Sequence, residues 1–103
     1  MAPLVSVIIP TYNRWPMLGQ AIESVLKQSY RGFELVVVDD GSDDQTAVEL
    51  MRYGSEIRLI SQARRGVAAA RNRGAQGSSG AYLAFLDSDD LWLPKKLEAQ
   101  AAF

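Results

Sequence analysis

Four short apolar runs recur along this chain, and longer segments with helical spacing of apolar or small residues separate them. The runs predicted as strands are residues 4–9, 33–38, 57–61 and 81–86. The first two are rich in Val and Ile, a pattern typical of strands covered on both faces. The fourth also has the pattern of a buried strand, whereas the third is weaker and is expected nearer a sheet edge.

Helices are predicted after each strand. The first starts near Pro16 and is closed by residues 30–32, and the second is capped by Asp43 or Asp44 and runs to about Tyr53. The third covers residues 67–76, whose small side chains allow close packing on a sheet, and the last starts at Pro94. The positions expected to face inward are Leu18, Ala21, Ile22, Val25, Leu26, Ala47, Leu50, Met51, Leu97 and Ala101.

This alternation of strand and helix predicts the fold class. The connections have the length that parallel crossovers need, so we expect an α/β, doubly wound, mainly parallel sheet of about four strands with helices on both faces. The 103 residues suffice for one domain or part of one. Residues 95–103 keep a helical pattern to the last residue, and we expect the chain to be a truncated part of a longer protein.

Composition narrows the chemistry. The chain has no Cys and no His, which removes disulfides, thiolate metal sites and the commonest general base. Any metal would therefore have oxygen ligands, as Mg²⁺, Mn²⁺ or Ca²⁺ prefer. The net charge of −1 gives no reason to expect nucleic acid or an anionic membrane as partner. No apolar run reaches transmembrane length and none resembles a signal peptide. We expect a cytoplasmic location, with the inner face of the membrane as the alternative for the intact protein.

Acidic residues cluster directly after the fourth predicted strand, at Asp87, Asp89 and Asp90. Ligands of open α/β sheets bind beyond the carboxyl ends of the strands. Asp87 and Asp89 lie two residues apart and face the same side if the chain stays extended, which would let them hold one hard divalent cation. The alternative is a polar turn in which an Asp caps the next helix.

The ends of the first two strands also carry candidate ligand contacts. The first strand lacks the glycine-rich phosphate loops and is followed instead by Tyr12, whose ring offers a face for a base. Asp39 and Asp40 end the second strand, and a carboxylate there can accept hydrogen bonds from a base or a ribose. The alternatives are a packed Tyr and a turn with a helix cap.

Arg71 on the third helix suits a diphosphate, because its planar guanidinium pairs with phosphate oxygens, although a single Arg on a helix is usually only solvated. Taken together, the strand ends fit a nucleoside diphosphate with a bound cation. Such a cation would neutralise charge on a departing diphosphate.

Four motifs in order then match a known family. They are VSVIIPTYNR at residues 5–14, ELVVVDDGSDD at residues 34–44, GVAAARNRG at residues 66–74 and FLDSDD at residues 85–90. The chain resembles the amino-terminal, nucleotide-sugar-binding half of a family 2 glycosyltransferase of GT-A fold, and the resemblance covers essentially the whole of it.

The resemblance implies a site for a nucleoside-diphosphate sugar, often a UDP-sugar, with Mn²⁺ or Mg²⁺. Pro10 and Tyr12 would border the base, Asp40 would hydrogen-bond it and Arg71 would lie near the nucleotide. The residues that match the Asp-x-Asp motif are Asp87, Ser88 and Asp89, with Asp89 the direct metal ligand and Asp87 beside it. The catalytic base and the acceptor-binding loops would belong to the second half, so no catalytic residue is assigned in this chain and the acceptor stays unknown.

Two alternatives from other classes stay open at this point. A receiver-type signalling domain also has paired acids after a Val-rich strand, but it needs an Asp after the third strand, where residues 62–65 have none. The other alternative is a non-catalytic fragment that folds and self-associates. Apolar surface or sheet edge left uncovered leads us to expect a dimer or higher oligomer.

Overall fold

Four parallel strands form the sheet of this chain, in a computed structural model that describes residues 4–80, 82–88, 90–94 and 96–97. The elements in chain order are β1 (Val5–Thr11), α1 (Met17–Leu26), β2 (Phe33–Asp40), α2 (Thr46–Met51), a 3-10 turn (Gly54–Glu56), β3 (Arg58–Gln62), α3 (Val67–Gln76) and β4 (Tyr82–Phe85). The strand order is β3-β2-β1-β4, and every neighbouring pair is parallel. The α/β fold class and the edge position of β3 are confirmed.

The core lies on both faces of the central strands, because successive side chains of a strand point to opposite sides. On one face Val7 and Ile9 of β1 pack in a cluster with α1, through Leu18 and Ile22. On the other face Ile8 of β1 packs in a second cluster with Val36, Val38 and Ala70. Helices on both faces explain why β1 is buried along its whole length.

Helix α3 lies close to the sheet at Gly74. A Cβ on Gly74 would stand 2.5 Å from Cγ2 of Ile8 and 3.1 Å from Cγ2 of Val38, so the helix approaches β1 and β2 more closely than any larger residue allows. The prediction of a small-residue helix over residues 67–76 is confirmed. This contact fixes the distance of Arg71 from the carboxyl ends of the strands.

The prediction that the fourth strand is buried is wrong. Tyr82, Leu83 and Phe85 are exposed by 60%, 47% and 46%. The reason is position, since among the described residues β4 is an edge strand that pairs with β1 alone. These side chains form exposed apolar surface, and the oligomeric state of the chain stays a prediction.

Three local predictions need correction. Helix α1 ends at Leu26 rather than near residue 30, because the Gln28 N–H turns back to the carbonyl of Val25. Met51, predicted to face inward, is 74% exposed, because the short helix α2 buries Leu50 instead. The N-cap of α2 is Gln45, whereas the sequence predicts Asp43 or Asp44 there; Asp44 lies one position earlier and accepts the N–H of Thr46.

The predicted last helix falls mostly outside the described residues, as does Ala101. Leu97 is buried, as expected, and its N–H donates to the side chain of Gln28 at 3.0 Å. Gln28 also donates to the carbonyl of Leu93 at 2.7 Å, so this buried amide joins the end of α1 to residues 93–97. No helix within the described ranges combines the length and the apolar character needed to cross a bilayer.

Candidate functional site

A cleft of about 410 Å³ opens at the carboxyl edge of the sheet, where β1, β2 and the segment after β4 end together. It is lined by Pro10, Thr11, Tyr12, Arg14, Asp40, Arg64, Val67, Ala70, Arg71, Asp87 and Ser88. Parallel strands place their carboxyl ends at one edge, which is why motifs far apart in the sequence meet here. The structure thus brings together six residues expected to contact a nucleotide sugar: Pro10, Tyr12, Asp40, Arg71, Asp87 and Ser88. Asp89 lies outside the described residues.

Asp40 holds the loop between β3 and α3 against the sheet. Its Oδ1 accepts from Nε2 of Gln62 at 2.9 Å and from the N–H of Arg65 at 2.8 Å, and its Oδ2 accepts from the N–H of Gly66 at 2.9 Å. Burial by itself raises the pKa of Asp40. The hydrogen bonds from Gln62, Arg65 and Gly66, with the charge of Arg64, outweigh burial and hold the pKa below its ordinary value. Asp40 is therefore ionised near neutral pH, and Oδ2 keeps capacity for one more donor.

Arg64 covers a face of Tyr12. The guanidinium carbon of Arg64 lies 3.3 Å from the centroid of the Tyr12 ring, which is the spacing of stacked planes. The sequence predicts a loop over residues 62–66; the loop begins one residue later, because Gln62 ends β3. Nothing in the sequence of this loop indicates that one of its side chains reaches Tyr12. Arg64 is therefore a site residue that the sequence did not reveal.

Asn13 joins the two loops beside Tyr12. Its N–H donates to Oγ of Ser42 at 2.9 Å, and its side chain exchanges two hydrogen bonds with Asp43, at 2.8 and 2.9 Å. Asn13 has a φ of +49°, a left-handed conformation that Asn tolerates better than most residues. Asp39 accepts the N–H of Ser42 at 3.1 Å and so orders the second of these loops. The polar residues after β1 and β2 thus fix the backbone that carries Tyr12.

Arg71 and Asp87 form an ion pair across the cleft. Nη2 of Arg71 lies 3.0 Å from Oδ1 of Asp87, and the two side chains are 41% and 60% exposed. An ion pair this exposed contributes little to stability and can be exchanged for other partners. Ser88, by contrast, is buried. Within the described residues no three acidic side chains come close enough to hold a metal ion.

Thr11 adds a polar group that the sequence analysis did not single out. Its hydroxyl is buried and has no hydrogen-bond partner among the described residues. Buried polar groups without a partner are uncommon in folded proteins, and Thr11 lines the cleft. The Thr11 hydroxyl is therefore a candidate contact for a ligand in the cleft.

Comparison with known proteins agrees with this geometry. The chain is 44% identical over 99 residues to the Escherichia coli protein WfgD, named a UDP-Glc:alpha-D-GlcNAc-diphosphoundecaprenol beta-1,3-glucosyltransferase; the match covers 94% of this chain and 39% of WfgD. This chain therefore spans well under half of that relative.

Two solved structures have the same fold. The crystal structure of S. aureus TarS 1-349 in complex with UDP-GlcNAc matches with a TM-score of 0.87 and 33% identity, over 96% of this chain and 30% of that one. The mannosyltransferase PcManGT from Pyrobaculum calidifontis, in complex with GDP-Man and Mn²⁺, matches with a TM-score of 0.82 and 31% identity, over 99% of this chain and 32% of that one. The GT-A fold expected from the motifs is confirmed.

The family model of Glycosyl transferase family 2 matches residues 6–103. This match and the named relatives leave no place for the receiver-type alternative, which needed an Asp that the chain lacks after β3. With the match covering nearly all of its length, the chain belongs to glycosyl transferase family 2.

Proposed function

We propose that this chain is the donor-binding part of a glycosyltransferase that moves a sugar from a nucleoside-diphosphate sugar, in the first instance a UDP-sugar, to an acceptor hydroxyl. The observation that carries the proposal is the single cleft in which Tyr12, Asp40, Arg71 and Asp87 meet. TarS, which is 33% identical to this chain and matches its fold with a TM-score of 0.87, has been crystallised with UDP-GlcNAc. This similarity supports a nucleotide-sugar ligand for this chain.

The cleft offers a separate group for each part of such a ligand. Pro10 and Tyr12 border the base, and the remaining acceptor capacity of Asp40 takes a base N–H. Arg71 pairs with phosphate oxygens through its planar guanidinium, and it is already held toward the cleft by Asp87 at 3.0 Å. Ser88 is buried against the same end of the site.

The metal would be Mn²⁺ or Mg²⁺, held by Asp89 and Asp87. Carboxylate oxygens are the donors that these ions prefer, and the Asp87 side chain is 60% exposed, so its oxygens are accessible to an ion. When bound, the ion would neutralise charge on the departing diphosphate. Because the Asp87 carboxylate pairs with Arg71, metal binding would free Arg71 to contact phosphate.

Residues 1–103 form, in this proposal, the amino-terminal part of a GT-A domain. The cleft residues of this chain bind and orient the donor, and the group that deprotonates the acceptor hydroxyl belongs elsewhere in the full domain. The chain by itself would then bind donor without transferring sugar. The acceptor is not assigned, and the cytoplasmic location stays a prediction.

A calorimetric titration with UDP tests the proposal. We expect UDP to bind, and Mn²⁺ to tighten binding by about tenfold, the factor that ~1.4 kcal/mol of charge attraction gives. Asp89→Ala should abolish the effect of Mn²⁺ because it removes the proposed direct ligand. Glu56→Ala is the control: it makes the same change in net charge outside the cleft, and Mn²⁺ should still tighten UDP binding by this variant. No binding of UDP or GDP, with or without Mn²⁺, would refute donor binding by this chain.

Thr11→Val is expected to weaken UDP binding by about fivefold, because ~1 kcal/mol is typical of one hydrogen bond. Folding should be unaffected or slightly improved, since the substitution removes a buried hydroxyl that lacks a partner. Thr46→Val is the matched control, because the hydroxyl of Thr46 is also buried without a partner among the described residues but does not line the cleft. Equal UDP affinities for both variants would show that the Thr11 hydroxyl does not meet the ligand.

A further inference from the structure

Arg64 and Tyr12 both line the cleft, and Arg64 already occupies one face of the Tyr12 ring. The guanidinium carbon of Arg64 lies 3.3 Å from the ring centroid, and this spacing leaves no room for a second planar group between them. A guanidinium is itself planar and stacks on aromatic rings as a base does. On that face, Arg64 and a nucleobase therefore exclude each other.

The backbone that carries Arg64 is held in place. Asp40 accepts the N–H groups of both Arg65 and Gly66, which directly follow Arg64. On the other side, a Cβ on Gly41 would stand 2.7 Å from the backbone N of Arg64, so the loop lies tightly against the end of β2. The guanidinium can leave Tyr12 only by rotation about the side-chain bonds of Arg64.

The side chain has the freedom to make that movement. Arg64 is exposed, and no carboxylate among the described residues pairs with it within 4 Å. Asp40 acts on it only at longer range, through the charge that helps to lower the Asp40 pKa. The stacking contact with Tyr12 is thus the main interaction that the described residues offer this guanidinium.

We propose that Arg64 is a built-in competitor for the base site: its guanidinium fills the Tyr12 face in the free chain and is displaced when a nucleobase stacks there. The inference rests on the proposed function, because it takes Tyr12 as the base platform. It adds a residue that sets donor affinity.

The test compares binding of uridine, which carries no phosphate charge, by the wild-type chain, Arg64→Ala and Arg73→Ala. Arg64→Ala should bind uridine about two- to fivefold more tightly, the factor that corresponds to an exposed cation–π contact. Arg73→Ala removes the same charge from an exposed α3 position that does not line the cleft, and it should match the wild type. With UDP the gain should be smaller, because Arg64→Ala also removes a positive charge from the lining of the cleft that would attract the charged phosphates.

Nuclear magnetic resonance gives a second readout. In the free wild-type chain the Cδ protons of Arg64 should be shielded by the Tyr12 ring, and saturating UDP should return them to ordinary shifts. Weaker or unchanged uridine binding by Arg64→Ala, or shielding that persists with UDP bound, would overturn this inference and leave donor binding intact. Absence of nucleotide binding by every variant would refute both. Binding by Arg64→Ala alone would show that a base cannot displace Arg64 from Tyr12, and would overturn the displacement.

Discussion

Asp40→Asn is expected to lower the free energy of unfolding by about 2–4 kcal/mol, because hydrogen bonds to a charged acceptor contribute ~1.5–3 kcal/mol each and more than one is weakened. The carboxylate of Asp40 accepts three donors at 2.8 to 2.9 Å. An asparagine keeps one oxygen, but its amide NH₂ would then face a donor, the N–H of either Gly66 or Arg65. Urea unfolding of the two proteins measures the difference.

The loss should depend on pH, since the pKa of Asp40 is held below its ordinary value. A carboxylate with a lowered pKa in the folded state adds stability above its unfolded pKa, and that stability is lost as the pH falls through the folded pKa. The gap between wild type and Asp40→Asn should therefore be full at pH 7. It should shrink once the pH falls below about 4, the ordinary value for aspartate.

Asp39→Asn is the matched control. Asp39 and Asp40 are adjacent and nearly equally buried, at 4% and 3% exposed, but among the described residues Asp39 accepts a single N–H, that of Ser42. We expect Asp39→Asn to cost about 1 kcal/mol or less, because the amide oxygen of asparagine can still accept this N–H. If both variants lost the same stability, burial of the carboxylate rather than its three donors would explain the effect, and the loop-holding role of Asp40 would be wrong.

The sequence predicts the central part of this fold because burial there follows from the strands themselves. Residues 4–9 and 33–38 are apolar on both faces except at Ser6 and Glu34, and β1 and most of β2 are buried on both faces as a result. The pattern of residues 81–86 is similar, yet β4 is exposed. An apolar run shows that its residues can be buried, whereas the packing of neighbouring elements decides whether they are buried.

In the candidate site, too, the sequence predicts some positions and not others. The carboxyl ends of parallel strands meet at one edge, so Tyr12, Asp40 and Asp87 could be placed together from the order of the elements alone. Arg64 could not, because its position depends on contacts between residues distant in sequence: the hydrogen bonds from residues 62–66 to Asp40 and the close approach of Gly41 to the loop. Loop conformation of this kind leaves no periodic pattern to detect.

Gly41→Ala is expected to lower the free energy of unfolding by about 2–5 kcal/mol, from two causes that add. Gly41 has a φ of +78°, where an L side chain costs about 1–2 kcal/mol. The new Cβ would also stand 2.7 Å from the backbone N of Arg64 and 3.2 Å from its Cα. Backbone atoms cannot rotate away, so the loop must shift, and overpacking of this kind costs about 1–3 kcal/mol. Urea unfolding checks the value.

Gly54→Ala separates the two causes, because Gly54 also has a positive φ, of +54°, but a Cβ there meets no atom within 4 Å. It should cost about 1 kcal/mol or less, since the strain is partly offset by the lower entropy of the unfolded chain. Only Gly41→Ala should also change uridine affinity, because it displaces the backbone that sets Arg64 over Tyr12. Equal losses of stability in the two variants would mean that the loop yields to the new Cβ without cost. The loop that carries Arg64 would then move more easily than its hydrogen bonds to Asp40 imply.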